Sequence, residues 1–299
     1  MRKDSQWMHR LSQLVSLLIG ARIFMLVLHA SALYVSTFFI INQEENLRQF
    51  VFDYKIHGIV VCSILSIAAG GIINQFYDLE KDRVQKPFVF RLQSFLKQKY
   101  FLYTYVILAL VSLLISFFLS ERIFIFFLVY QFLIWLYSHK LSKRLAINNL
   151  AFVSLTLYPF FGMLVYYQHF SILLFLMAAF LFVILLCVDV LKDVMTLRPD
   201  TLFGYRTFPS VLGIRKTAII LAFLSLLGMI LGLLTAWKIG ELNFLSIYFI
   251  LSSGVFLYTC LRLKTLRILQ MHLLLNLLRI WIFIGVVFML MGGIYSKLN

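Results

Sequence analysis

Long apolar runs separated by short polar segments organise this chain from end to end. Each run has about 20 residues or more, the length that crosses a bilayer as an α-helix. Strict apolar/polar alternation, which is typical of outer-membrane barrels, is absent. The pattern predicts an all-α polytopic membrane bundle, a single domain over residues 1–299 with a short polar tail at 1–10. The nine predicted spans are residues 15–41, 56–76, 100–119, 122–138, 146–167, 170–192, 217–237, 243–261 and 272–295.

The polar segments differ in their content of basic residues. The chain has 27 Lys and Arg against 12 Asp and Glu, and most of the basic residues lie in the segments after spans 2, 4, 6 and 8. By the positive-inside rule these segments and the N-terminus are cytoplasmic, so we expect a multi-pass protein of the cell (inner) membrane. Because the charge is spread over short loops, it predicts contact with membrane lipids and no nucleic-acid partner.

Two acidic clusters follow even-numbered spans on this same predicted side. Asn74, Asp78 and Asp82 recur every four residues, which places them on one face of a helix. Oxygen ligands of this kind suit Mg²⁺, which in turn binds phosphate oxygens. An ordinary solvated loop is the alternative for one such cluster, but two clusters favour a metal–diphosphate site.

The second cluster repeats the spacing of the first. Lys192-Asp193, Thr196 and Asp200 match the positions of Asn74-Gln75, Asp78 and Asp82. A parallel duplication of a helical unit would make the two clusters face each other. Asp189 lies one turn before Asp193, where a direct and an indirect role are equally compatible with the pattern.

Basic residues accompany the acids. Arg83 and Lys86 follow the first cluster, and the segment after span 4 contains bases but no acid. Such a segment is either a topology signal or a diphosphate clamp, in which Lys supplies point charge and Arg a bidentate fork. Its candidate residues are Tyr137, Ser138, Lys140, Lys143 and Arg144.

The joint pattern resembles the UbiA superfamily of intramembrane prenyltransferases over residues 15–295. That family carries an Asn-Asp-x-x-Asp-x-x-x-Asp motif after its second helix and an Asp-x-x-x-Asp motif after its sixth. It also has a Tyr-Ser element with basic residues after its fourth helix. The segment Gly204–Pro209 resembles the family's Thr-Leu-Pro segment before helix seven. The resemblance implies a helical bundle around a central cavity.

The resemblance also implies an activity and a set of roles. A polyprenyl diphosphate is the donor, a small acceptor such as a quinone precursor or glycerol phosphate takes the prenyl group, and Mg²⁺ is the cofactor. The implied metal ligands and catalytic residues are Asp78, Asp82, Asp193 and Asp200. The implied substrate-binding residues are Asn74, Arg83, Lys86, Tyr137, Ser138, Lys140, Lys143, Arg144, Lys192, Arg206 and Thr207.

Two positions depart from the family pattern. Gln75 and Thr196 stand where the family has carboxylates, so each cluster is expected to have lost one charge. A non-catalytic relative that binds a lipid or a partner through a degenerate site is therefore the alternative. An ion-coupled transporter is a further possibility, but it would be expected to carry acids near mid-span rather than at span ends.

Overall fold

The computed structural model describes residues 13, 15–41, 46–93, 97–265 and 267–298. Within these residues the regular structure is entirely helical, and nine helices are long and apolar enough to cross a membrane. This confirms the all-α, nine-span prediction. Spans 1 to 9 are Ile23–Ile41, Tyr54–Tyr77, Gln98–Leu119, Glu121–His139, Ile147–Tyr167, Ile172–Met195, Phe208–Ile239, Phe244–Arg262 and Ile268–Ser296.

Spans 1 and 7 differ most from the predicted bounds. Arg22 has a positive φ of 55°, which interrupts the first apolar helix before Ile23, and that helix ends in a π-helical turn at Thr37–Ile41. Span 7 begins at Phe208, nine residues earlier than predicted, because an additional turn precedes a kink at Gly213. The φ of 77° at Gly213 is readily adopted only by glycine.

The chain divides into two compact units. The first comprises residues 1–31 and 48–141, and the second comprises residues 32–47 and 142–299. The first acidic cluster lies in the first unit and the second cluster in the second unit. That the two clusters face each other, and that the chain is one domain, remain predictions.

Small and hydroxyl side chains join the helices of the first unit. Span 2 packs against spans 3 and 4. The Gln131 amide donates to Ser66 Oγ at 2.7 Å, and Ser66 Oγ lies 3.1 Å from Ser112 Oγ. Such interhelical hydrogen bonds and close backbone contacts hold helices together where surrounding lipid is as apolar as the side chains.

The second unit is built around span 6, which packs against spans 5, 7 and 9. Its core contains a set of aromatic rings arranged edge to face around Phe180. Span 7 and span 8 approach closely at Gly232, where a Cβ would lie 2.6 Å from Ser253 Oγ. The packing of span 5 against span 6 places the first turn of span 5 beside the last turns of span 6.

Candidate metal and diphosphate site

The first acidic cluster follows directly from the way span 2 ends. The helix breaks at Asp78, whose backbone N–H donates to Asn74 O at 2.9 Å, and a short helix resumes at Leu79–Gln85. The N–H groups of Asp82 and Lys86 continue this four-residue ladder, each at 2.8 Å. The structure therefore places Asn74, Asp78, Asp82 and Lys86 along one stripe, as the spacing predicts.

Two side-chain contacts organise this stripe. The Asn74 amide donates to Asp78 Oδ2 at 2.9 Å, and Lys86 Nζ lies 3.8 Å from Asp82 Oδ1. Burial raises the pKa of the Asp82 carboxyl, while the charges of Lys86, Arg22 and Lys81 lower it and that of Asp78 raises it. A cation beside Asp82 would favour its ionised form, as expected of a metal ligand.

Gln75, the residue that stands where the family has an acid, is buried beside Gly20. Its side chain is 5% exposed, and a Cβ at Gly20 would overlap its amide oxygen. Neither amide atom of Gln75 has a hydrogen-bond partner among the described residues. Successive residues of a helix point in different directions, so Asn74 and Gln75 contact different neighbours.

The second cluster is built on the last turns of span 6. Asp189 and Asp193 lie four residues apart, and both are 2% exposed. The side-chain amide of Asn149, in the first turn of span 5, donates to Asp189 Oδ2 at 2.8 Å and to Asp193 Oδ2 at 2.7 Å. A single amide group thus bridges both carboxylates.

Lys192 balances one of these charges. Its ammonium group forms an ion pair with Asp189 Oδ1 and lies 4.9 Å from the ring centre of Phe152 on span 5. The ion pair engages one oxygen of Asp189 with Lys192. Lys192 remains partly exposed, with 39% of its side-chain surface accessible.

Asp200 joins the cluster through Thr196. Span 6 ends at Met195, and the short helix Leu197–Leu202 follows. Thr196 Oγ donates to Asp200 Oδ2 at 2.7 Å, and Asp200 is fully buried. Thr196 therefore contacts a predicted ligand directly, unlike Gln75 in the first cluster.

The basic segment after span 4 reaches the segment that follows Asp200. Lys143 Nζ lies 5.1 Å from the ring centre of Tyr205, and the Arg206 N–H donates to Lys143 O at 3.3 Å. The Tyr205 N–H donates in turn to Asp200 O at 2.8 Å. Lys143 is thus brought into the second unit's acidic region, and Arg144, on the surface beside it, accepts a backbone hydrogen bond from Asn148.

The remaining candidate residues have diverse surroundings. Lys140 and Arg206 are exposed, Tyr137 is half-buried, and the hydroxyl of buried Ser138 has no hydrogen-bond partner among the described residues. Arg83 lies 5.9 Å from the ring centre of Phe90.

Thr207 is buried at the start of span 7, where its N–H donates to Ser210 Oγ at 2.8 Å. Thr207 is the N-cap residue of span 7, so it helps to start that helix.

The oxygen-rich side chains fit Mg²⁺. Among the described residues no three Asp, Glu, His or Cys side chains group closely enough to enclose a metal by themselves. Mg²⁺ is usually held by one or two carboxylates together with substrate phosphates and water. Asp78 with Asp82 and Asp193 with Asp200 remain the predicted carboxylate ligands.

Sequence reasoning missed Asn149, Phe152 and Tyr205. Asn149 carries a recognisable signal, because it belongs to a pair of Asn residues at the entrance of an apolar span. Polar side chains at membrane depth generally face a partner inside the protein. Phe152 and Tyr205 carry no such signal, since aromatic residues are abundant throughout the chain.

Comparison with known proteins identifies relatives with named activities. The chain is 27% identical over 247 residues to the digeranylgeranylglyceryl phosphate synthase of Methanosphaera stadtmanae, covering 81% of this chain and 89% of that protein. It is 26% identical over 178 residues to the synthase of the same name from Pyrococcus furiosus, covering 58% of this chain and 62% of that protein.

Solved structures show the same fold. A structure described as digeranylgeranylglyceryl phosphate synthase aligns with a TM-score of 0.74 at 20% identity, over 95% of this chain and 99% of that one. A UbiA homologue from Archaeoglobus fulgidus bound to GPP and Mg²⁺ aligns with a TM-score of 0.70 at 15% identity, over 93% and 99%. The sequence pattern of the UbiA prenyltransferase family matches residues 48–271, which confirms the resemblance. The chain therefore belongs to the UbiA prenyltransferase family.

Proposed function

We propose that this protein transfers a polyprenyl group from its diphosphate to a small acceptor that carries a glyceryl phosphate, in a Mg²⁺-dependent reaction. Family membership supports the prenyl transfer, and the names of the relatives support this class of acceptor. The observation that carries the proposal is that each acidic cluster contains an ion pair with a base, Asp82 with Lys86 in the first and Asp189 with Lys192 in the second.

The acids would hold the metal and the bases would hold the diphosphate. Asp78, Asp82, Asp193 and Asp200 are the proposed Mg²⁺ ligands, and Asn74 orients Asp78 through its hydrogen bond. Bound Mg²⁺ supplies positive charge that stabilises the diphosphate as it departs. The proposed diphosphate-binding residues are Arg83, Lys86, Lys140, Lys143, Arg144 and Lys192, with Tyr137 and Ser138 as hydroxyl donors.

The proposed chemistry is a simple displacement. The C–O bond between the prenyl group and the diphosphate breaks, and the diphosphate leaves with the electron pair. A hydroxyl oxygen of the acceptor forms the new C–O bond and loses its proton. Exposed Arg206 is proposed to contact the acceptor phosphate, since a guanidinium group matches phosphate geometry. Thr207 contributes by holding the backbone at that point.

An acceptor panel tests this proposal. Purified protein in detergent is incubated with labelled prenyl diphosphates, Mg²⁺ and either a prenylglyceryl phosphate or an aromatic acid, and products are identified by mass spectrometry. We expect product with the phosphate acceptor, loss of product in EDTA and recovery when Mg²⁺ is restored. Full activity in metal-free protein would contradict the metal's role. Absence of product with every donor and acceptor would favour the non-catalytic alternative.

The two departures from the family pattern are expected to behave differently. Thr196→Asp places a third carboxylate beside Asp200, so we expect the Mg²⁺ concentration for half-maximal activity to fall about fivefold, or about 1 kcal/mol. Gln75→Asp buries a charge beside Gly20 and away from the stripe. We expect it to lower the melting temperature without changing the Mg²⁺ requirement. Mg²⁺ titrations and thermal melts of both variants check this, and tighter Mg²⁺ dependence in Gln75→Asp would place residue 75 in the metal site.

The proposed orientation puts the segments after spans 2, 4, 6 and 8 in the cytoplasm. Single cysteines at the exposed positions Lys97, Arg198 and Lys264, in a chain without Cys62, Cys187 and Cys260, are expected to resist a membrane-impermeant thiol reagent in intact cells. A cysteine at exposed Glu241, between spans 7 and 8, is the opposite-side control and should be labelled. Labelling of the first three positions without lysis would contradict this orientation.

A further inference from the structure

The buried side chain of Asn149 contacts both acids at the end of span 6. It is 0% exposed and lies in the first turn of span 5. Its amide nitrogen lies 2.8 Å from Asp189 Oδ2 and 2.7 Å from Asp193 Oδ2. Ionised carboxylates only accept hydrogen bonds, so the nitrogen and not the oxygen of the amide must face them. One donor group therefore holds two like charges together.

The two acids differ in what remains available on each. Asp189 has both oxygens engaged, Oδ1 by the Lys192 ammonium group and Oδ2 by Asn149. On Asp193, Oδ2 accepts a hydrogen bond from Asn149. No donor side chain among the described residues reaches its Oδ1. Each oxygen of Asp189 thus has one donor, and one oxygen of Asp193 is available for a ligand.

The loop before span 5 determines where Asn149 lies. Ala146 has a positive φ of 63°, and the Asn148 N–H donates to Arg144 O at 3.0 Å. This turn follows Lys143, which lies over Tyr205. The same short segment thus delivers a base toward the phosphate-binding region and an amide to the acids.

We propose that Asn149 is a positioning residue for the proposed metal site, which fixes Asp193 through Oδ2 so that Oδ1 would be available to hold Mg²⁺. The inference rests on the proposed function for the identity of the metal. Asp189 acts with it, as the partner that keeps Lys192 and Asn149 in place, and is not itself a metal ligand. Residues that orient metal ligands typically change metal affinity by about 10- to 100-fold when they are replaced.

The test measures metal binding as well as activity. Wild type and Asn149→Ala are titrated with Mn²⁺, and free Mn²⁺ is followed by electron paramagnetic resonance. We expect at least a tenfold weaker Mn²⁺ affinity in Asn149→Ala, and a matching rise in the Mg²⁺ concentration for half-maximal activity. The maximal rate at saturating Mg²⁺ should fall far less. Asn148→Ala, one residue earlier in the same turn, is the control and should keep the wild-type Mn²⁺ affinity.

A double variant separates positioning from general damage. If Asn149 holds two repelling acids together, Asp189→Asn removes that repulsion. The double variant Asp189→Asn, Asn149→Ala should then bind Mn²⁺ less than threefold more weakly than Asp189→Asn alone. A merely structural role would lower the melting temperature and rate of Asn149→Ala with unchanged Mn²⁺ affinity, which would overturn the proposal. If Asn149→Ala is not recovered folded, Asn149→Gln, which displaces the same amide by one methylene, is titrated with the same expectation.

The outcome remains interpretable if the proposed acceptor is wrong. Mn²⁺ binding requires no acceptor, so an inactive wild type with a normal Mn²⁺ site and a weakened Asn149→Ala site would support the positioning role alone. A wild type that binds no Mn²⁺, even with a prenyl diphosphate present, would overturn it.

Discussion

Asp193→Asn is expected to lower prenyl transfer by at least about 1,000-fold while leaving the protein folded. The substitution preserves shape and an oxygen that can accept from Asn149, but it removes the negative charge that would hold the metal. Asp78→Asn should have a similar effect, because Asp78 is the carboxylate oriented by Asn74 in the first cluster. Both variants are checked by initial rates at saturating donor while the Mg²⁺ concentration is varied about 10-fold. Melting curves confirm that each variant is folded.

Asp53→Asn provides the matched control. Asp53 caps the opposite end of span 2, where its side chain accepts from the Lys55 N–H at 2.8 Å. Asn caps helices about as well as Asp, so this variant should keep near-wild-type activity and stability. Near-wild-type transfer by Asp193→Asn or Asp78→Asn with an unchanged Mg²⁺ requirement would show that the corresponding cluster does not hold the catalytic metal.

Gly71→Val is expected to prevent recovery of folded protein, and Gly71→Ala to destabilise it by about 1–3 kcal/mol. A Cβ at position 71 would lie 2.7 Å from the backbone oxygen of Gly20. That oxygen belongs to the chain just before the break at Arg22 and cannot rotate away as a side chain would. Moving it would also disturb Arg22, whose charge acts on Asp82.

Gly254→Ala is the comparison for this second prediction. Gly254 also lies inside a membrane-spanning helix, but a Cβ there would meet nothing within 4 Å. Ala favours helix over Gly by about 1 kcal/mol, so this variant should be as stable as wild type or slightly more stable. Thermal melts in the same detergent compare the two. Equal melting temperatures for Gly71→Ala and wild type would show that the backbones at Gly20 and Gly71 are not in close contact.

The sequence by itself determined the class of fold and the identity of the acidic stripe. Nine spans follow from apolar length alone, because a bilayer leaves a helix as the only way for a single segment to satisfy its backbone hydrogen bonds. The stripe of Asn74, Asp78 and Asp82 also follows from sequence, since residues four apart share a helix face. Local periodicity was sufficient in both cases.

Only the tertiary structure decided which side chains from different helices meet. The sequence treated Gln75 and Thr196 as equivalent losses, yet Thr196 donates to Asp200 while Gln75 lies against Gly20. It likewise left the role of Asp189 open and gave none to Asn149. The contacts of Asn149 depend on how spans 5 and 6 pack and join residues 40 and 44 positions apart, and the place of Gln75 depends on where the first helix breaks. Periodicity along one helix carries no information about such contacts.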